Sequence, residues 1–203
     1  MVFFPSTAKP LNIFEPRYIK MIDDAVHSNS LIALAFSDYY RLHGYTTDSE
    51  SHIQIRRTAG VGRPTILERR KDDTMLVVLE GTGKVKLGGP IYSPEPYLIH
   101  KGEWVEENLE FGQENIFRLH RFHKEFVSWL YTNVDDRQRL ELFLGQIDEP
   151  EEKINYFCSL MVHDAEAQQR LLEVNDINER LELLSTLVES REKQWPNNPT
   201  ISI

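Results

Sequence analysis

The feature that most limits the fold of this 203-residue chain is a change of hydrophobic period near residues 105–113. Before it, apolar residues alternate or gather in short runs broken by glycine and proline, the pattern of strands and turns. After it, they recur three and four residues apart, the pattern of amphipathic helices. Eight of the ten glycines lie before residue 105, the others being Gly112 and Gly145. Strands followed by helices imply an α+β fold with segregated layers. The predicted division is a β-rich unit over 1–107, a helical bundle over 113–195 and a loose tail over 196–203.

In the first half, Phe3-Phe4 ahead of Pro5 is predicted to close a short strand, and Leu11–Phe14 is a second extended piece. Pro16 suits the first position of a helix, where no N–H partner is needed. The Phe14-Glu15-Pro16-Arg17-Tyr18 cluster therefore reads as a structural corner, with Ile13, Phe14 and Tyr18 largely buried and Arg17 bonded to a carboxylate or to backbone carbonyls. LIALAF (31–36) reads as a buried strand. Gly60 and Gly62 inside a strand pattern predict a bulge or sharp bend. Lys71-Asp72-Asp73 and Gly81-Thr82-Gly83 both read as hairpin turns. Together the strands imply a small barrel or sandwich with one or two helices.

In the second half, helices are predicted from about 113, over 136–147, from Asp148 as cap, over AEAQQRLLEV, and from Asp176-Ile177-Asn178-Glu179, which has capping-box spacing.

No catalytic or cofactor motif stands out. Gly81-Thr82-Gly83-Lys84 lacks phosphate-loop spacing and precedes no helix. His120 and His123 lie three apart on a helix without further metal ligands nearby in sequence, and read as ordinary helix residues. Cys158, the one cysteine, sits on an apolar stripe and reads as a small hydrophobe. No cofactor or metal is expected. No apolar run approaches the roughly 18 residues of a membrane span, and the start has no signal-peptide pattern, so a cytoplasmic protein is expected.

Net charge is −9. Residues 1–102 carry 13 Lys and Arg against 11 Asp and Glu, while residues 103–203 carry 10 against 21. This balance disfavours nucleic acid, although Arg56-Arg57 and Arg69-Arg70-Lys71 form basic clusters that could touch phosphates. Tyr39, Tyr40 and Tyr45 in the polar stretch 37–52, with Trp104, are candidate protein-binding residues, because exposed aromatics supply stiff contact surface. Trp104 either packs the sheet on the first long helix or lines a groove between the two units.

The words PLNIFEPRYIKMIDDA, LIALAF, GVGRPTILERRKDDTMLVVLEGTGKVKL and PYLI, followed by EKINYFCSLMVHDAEAQQRLLEVNDINERLELLSTLV, resemble the amino-terminal substrate-recognition domain of Lon proteases over about residues 3–190. The resemblance implies a PUA-like β subdomain followed by helices. It also implies recognition of polypeptide substrates or a partner protein, with cleavage left to an ATP-dependent protease in trans. The chain then reads as a free-standing Lon-domain protein, non-enzymatic, a monomer or weak dimer. The alternative is an RNA-binding PUA-like module. In the family an extra strand usually precedes Phe4-Pro5 and a Pro-Gly pair follows it. Here Ser6-Thr7 stand where that glycine turn would be.

Overall fold

The computed structural model describes residues 1–37 and 55–194, with side chains described as far as residue 189. Five antiparallel strands form one sheet: β1 (Ala8–Ile13), β2 (Ile32–Leu34), β3 (Thr58–Arg69), β4 (Met75–Ile91) and β5 (Ile99–Trp104). Their order is β1-β4-β3-β2, and β5 also pairs with β4. The 17-residue β4 organises the sheet. Its first part pairs with β1, its second with β5, and β3 lies along its other edge. Helix α1 (Pro16–Ser28) covers the sheet through Ile22 and Ala25.

The expected hairpin turn at Gly81-Thr82-Gly83 is corrected: β4 runs straight through it. Gly83 pairs with Val61 and Gly81 with Gly62, which leaves Thr82 as one extra residue, a bulge. The glycines serve close backbone approach. A Cβ on Gly81 would collide with the Phe4 carbonyl, and one on Gly60 with that of Phe3. The bend expected at Gly60 and Gly62 thus forms the other side of the same irregularity. The turn at 70–74 closes as expected, with Asp73 left-handed (φ 63°) and Arg70 N donating to Thr74 O at 2.8 Å.

Val2-Phe3-Phe4 is not a strand, and it runs between two cores. Phe3 joins Ile22, Ala25, Ile32, Met75, Val77 and Leu79 on the sheet side. Val2 and Phe4 join Phe122, Phe126, Phe157 and Leu181 on the helical side. Side chains that alternate along an extended chain let three residues anchor both lobes. Lys9 Nζ holds this segment by donating to Val2 O at 3.0 Å.

The corner lies where expected, but its burial is corrected. Phe14 is 70% exposed and Tyr18 36%, and Ile13 is only half-buried. Residues of β1 alternate outward and inward from Ala8 to Ile13, and period two turns Phe14 outward. In α1 the buried face is Ile22 and Ala25 with Ile19 beside them; Tyr18 shares that side at i−4 and i−7 but lies in the first turn, at the exposed end of the stripe. Arg17 lies over the Tyr18 ring (4.6 Å) and donates to Glu15 Oε2 at 2.8 Å. Glu15 is the N-cap residue without a capping side-chain bond, and Pro16 opens the helix. LIALAF is corrected as well: only Ile32–Leu34 is strand, at the sheet edge, with Ala33 exposed.

The helical lobe contains α2 (Ile116–Asn133), entered through a 3-10 turn at Gln113–Asn115, then α3 (Arg137–Leu144), α4 (Pro150–Met161), α5 (Ala165–Glu173) and α6 (Ile177–Gln194). Asp148 does not cap α4. Glu149 does, in a capping box with Glu152, because Pro150 takes the first helical position. Asp176 accepts from the amides of Asn178 (2.8 Å) and Glu179 (3.2 Å) to start α6. Phe122 meets Phe157 edge-on at 4.9 Å in the centre of this core.

Candidate functional site

The two lobes meet over a buried polar knot. Strand β4 carries Lys84 out of the Thr82 bulge toward the helices, and its side chain is fully buried. Nζ donates to the carbonyls of Leu172 (2.8 Å) and Val174 (2.7 Å) at the end of α5, and pairs with Glu107 at 3.0 Å. Arg180, in the first turn of α6, is equally buried. It donates to the carbonyls of Leu171 (3.2 Å) and Val174 (2.8 Å), to Asn155 Oδ1 (2.8 Å) and to Glu107. Asn155 in turn donates to Pro5 O at 3.2 Å, which closes the loop to the amino-terminal segment. Burial, with the Arg180 charge next, pulls the Lys84 ammonium down to about 8, while Glu107 opposes the change.

Above this knot lies an open cleft of about 310 Å³, lined by Ser6, Thr82, Gly83, Trp104, Leu109 and Glu151 among others. Trp104 ends β5 opposite Val85 and is 62% exposed. Its ring rests on Gly83, where a Cβ would come within 2.9 Å of Cζ3. Of the two placements expected for Trp104, the structure has the groove between the lobes. Glu151, in the first turn of α4, faces the cleft half-buried. Burial raises its pKa, and Glu107 adds to the rise. Its Oε1 accepts from Ser6 Oγ and Asn155 Nδ2, each at 3.3 Å. Ser6 is left-handed (φ 55°), the conformation a glycine would adopt without cost, at the position where the resemblance places a glycine turn.

Tyr39, Tyr40 and Tyr45 lie outside the described residues. The basic clusters lie at the surface, with Arg57, Arg69, Arg70 and Lys71 exposed and Arg56 half-buried, but three of their members are held in ion pairs. Arg56 pairs with Glu166 (3.0 Å) and Glu173 (3.1 Å), Arg69 with Asp23, and Arg70 with Glu68 (3.3 Å). His123 is half-buried and its Nδ1 has no hydrogen-bond partner among the described residues; burial lowers its pKa. Among the described residues no group of three His, Cys, Asp or Glu side chains could hold a metal. Cys158 is fully buried, and burial pushes its thiol up to about 12, far from a nucleophile's range. No helix among the described residues is long and apolar enough to cross a membrane.

Lys84, Glu107, Asn155 and Arg180 escaped the sequence reading as site residues. Two signals were nevertheless present: Lys84 ends the Glu80-Gly81-Thr82-Gly83-Lys84 word and Arg180 sits in Asp176-Ile177-Asn178-Glu179-Arg180-Leu181.

The substrate-binding domain of ATP-dependent protease La (LON) matches residues 1–190. The chain belongs to the Lon substrate-binding domain family. It is 24% identical over 190 residues to the Lon protease of Xanthomonas oryzae pv. oryzae, covering 93% of this chain and 22% of that protein. It is 24% identical over 187 residues to Lon protease 2 of Desulfotalea psychrophila, covering 91% and 23%. The chain thus spans less than a quarter of the length of these curated relatives. The Lon N-terminal domain protein from Xanthomonas campestris superposes with a TM-score of 0.64 at 15% identity, over 91% of this chain and 92% of that one. The N terminal domain of the Mycobacterium avium complex Lon protease gives 0.64 at 16%, over 90% of each. At these identities the two structures establish the shared α+β fold. The family makes the chain a substrate-recognition module of the Lon type.

Proposed function

We propose that this chain recognises exposed or unfolded polypeptide without cutting it, as an adaptor-like partner of an ATP-dependent protease in the cytoplasm. The observation that supports this most is Trp104: a large apolar ring pinned on Gly83, open to solvent, at the mouth of the cleft between the lobes of a Lon-family recognition fold. Preorganised aromatic rings contribute contact area at low entropic cost. Tyr39, Tyr40 and Tyr45 are further contact candidates from the sequence. The relatives named as Lon proteases tie the family to ATP-dependent proteolysis, and the protease is the partner this reading assigns.

The test is suppression of aggregation of a chemically unfolded protein at stoichiometric amounts, with casein hydrolysis measured alongside. Suppression, weakened by Trp104→Ser, with no casein cleavage with or without ATP, is expected. A Tyr39/Tyr40/Tyr45 triple Ser variant separates these three residues from the cleft. Wild-type behaviour in both variants would remove this surface from the proposal.

A further inference from the structure

Hydrogen-bond accounting in the cleft points to the charge of what it holds. The cations beneath it are buried and, but for one Arg180 N–H, engaged. All three Lys84 protons have acceptors, in Leu172 O, Val174 O and Glu107. Arg180 donates through Nε and both terminal nitrogens. The hydroxyls of Ser6 and Thr82 already donate, to Glu151 (3.3 Å) and to Val61 O (3.3 Å), and keep only acceptor capacity. The carboxylates differ. Glu151 accepts only through Oε1, and so does Glu107, so their Oε2 atoms accept no hydrogen bond from the described residues. The cleft therefore offers side-chain acceptors and few donors. Among the described residues the indole N–H of Trp104 is the side-chain donor left open, so an anionic ligand would meet that one group beside two carboxylates, whereas a ligand bringing several donors would find their free oxygens.

Trp104 narrows the choice. One face of the indole is covered by Gly83, and the ring is otherwise largely exposed beside the same cleft that Glu151 lines. An aromatic face beside a carboxylate fits a planar cation, which stacks on the ring and forks its N–H groups to the acid. A cleft of about 310 Å³ lies at the lower end of ligand-pocket sizes, enough for one or two side chains.

We infer that the interlobe cleft receives an arginine side chain of the bound polypeptide, with the guanidinium stacked on Trp104 and hydrogen-bonded to Glu151. The inference rests on the polypeptide-recognition reading above and gives it a preferred residue.

The experiment measures binding of short unstructured peptides of equal length, rich in Arg, Lys or Glu, to the full chain at low salt, by anisotropy. The Arg peptide is expected to bind roughly tenfold more tightly than the Glu peptide, with Lys between them. Glu151→Gln and Trp104→Ala are each expected to remove most of that preference, and Trp104→Phe to retain part of it. Melting temperatures confirm that each variant is folded. Equal binding of the Arg and Glu peptides, or a preference that survives both substitutions, overturns the assignment. If the unfolded protein of the previous test is still bound in that case, polypeptide recognition stands and only the arginine site falls. If neither peptides nor unfolded protein bind, both readings fall.

Discussion

Two arginine–glutamate pairs in this molecule differ in almost every respect except composition. Arg17 and Glu15 sit two residues apart at the β1–α1 corner, with side chains about half exposed. Arg180 and Glu107 are 73 residues apart, and Arg180 is fully buried between the lobes. The first pair is local, screened by water and contributes little. The second closes a network that includes Lys84, Asn155 and four backbone carbonyls, where a lost member leaves buried polar groups without partners. The comparison teaches that the lobes are coupled at the knot and by Val2–Phe4, while the corner only turns the chain.

Arg180→Met should break that contrast most severely. It strips Asn155 Oδ1 and the Leu171 carbonyl of their donor, leaves Glu107 with Lys84 alone, and should cost roughly 3–5 kcal/mol, read from urea midpoints. A loss no larger than a surface change would disprove the coupling role. Lys84→Met should cost less, about 1–3 kcal/mol, because Arg180 still serves Glu107 and Val174 and only the Leu172 carbonyl is stranded. Ser6→Gly should raise stability by about 0.5–1 kcal/mol by relieving the left-handed serine, offset in part by the weak bond to Glu151. Thermal melts of that single variant decide the sign.

Glu151 sharpens the comparison through pH. Burial and Glu107 raise its folded pKa, and Glu152 adds to them, while Ser6 and Arg180 oppose. The folded state thus binds this proton more tightly than the unfolded chain. The stabilising contribution is present below the ordinary carboxyl pKa and disappears as pH rises through the folded value. Glu151→Gln should therefore melt lower relative to wild type in acid than at neutral pH, and the gap should narrow or reverse on going to pH 7. A gap independent of pH would mean the carboxyl is not perturbed. Smallest of all, Arg17→Ala should change stability by no more than about 0–1 kcal/mol, with its effect fading further in high salt.

Much of the architecture was legible in residue pattern. The change of period near residue 105 marked strands before helices, Pro16 marked the start of α1, and Asp176 marked the start of α6, since periodicity and capping act over a few residues. Phe14 departs from expectation because apolar character alone does not say which side of a strand faces the core, and Tyr18 because sharing the buried side of a helix does not say how far along it the core extends. The Gly81–Lys84 stretch was misread for a related reason: a glycine pair looks the same in a hairpin turn and in a bulge. The choice depends on the Phe3–Phe4 backbone, about eighty residues away in sequence, which occupies the space a Cβ would need. Trp104 was picked out as a contact residue with two placements open, and only packing against Gly83 at the lobe boundary chose between them.

By itself, then, the sequence determined the element types, their order and the family to which they belong, because these follow from local propensity, period and recurring words. The tertiary structure alone decided which polar residues are buried together. Lys84, Glu107, Asn155 and Arg180 carry no shared local signal, and their partnership arises only when β4, α4 and α6 converge. Burial there turns ordinary surface residue types into an interlobe knot, and leaves the cleft above it rich in acceptors.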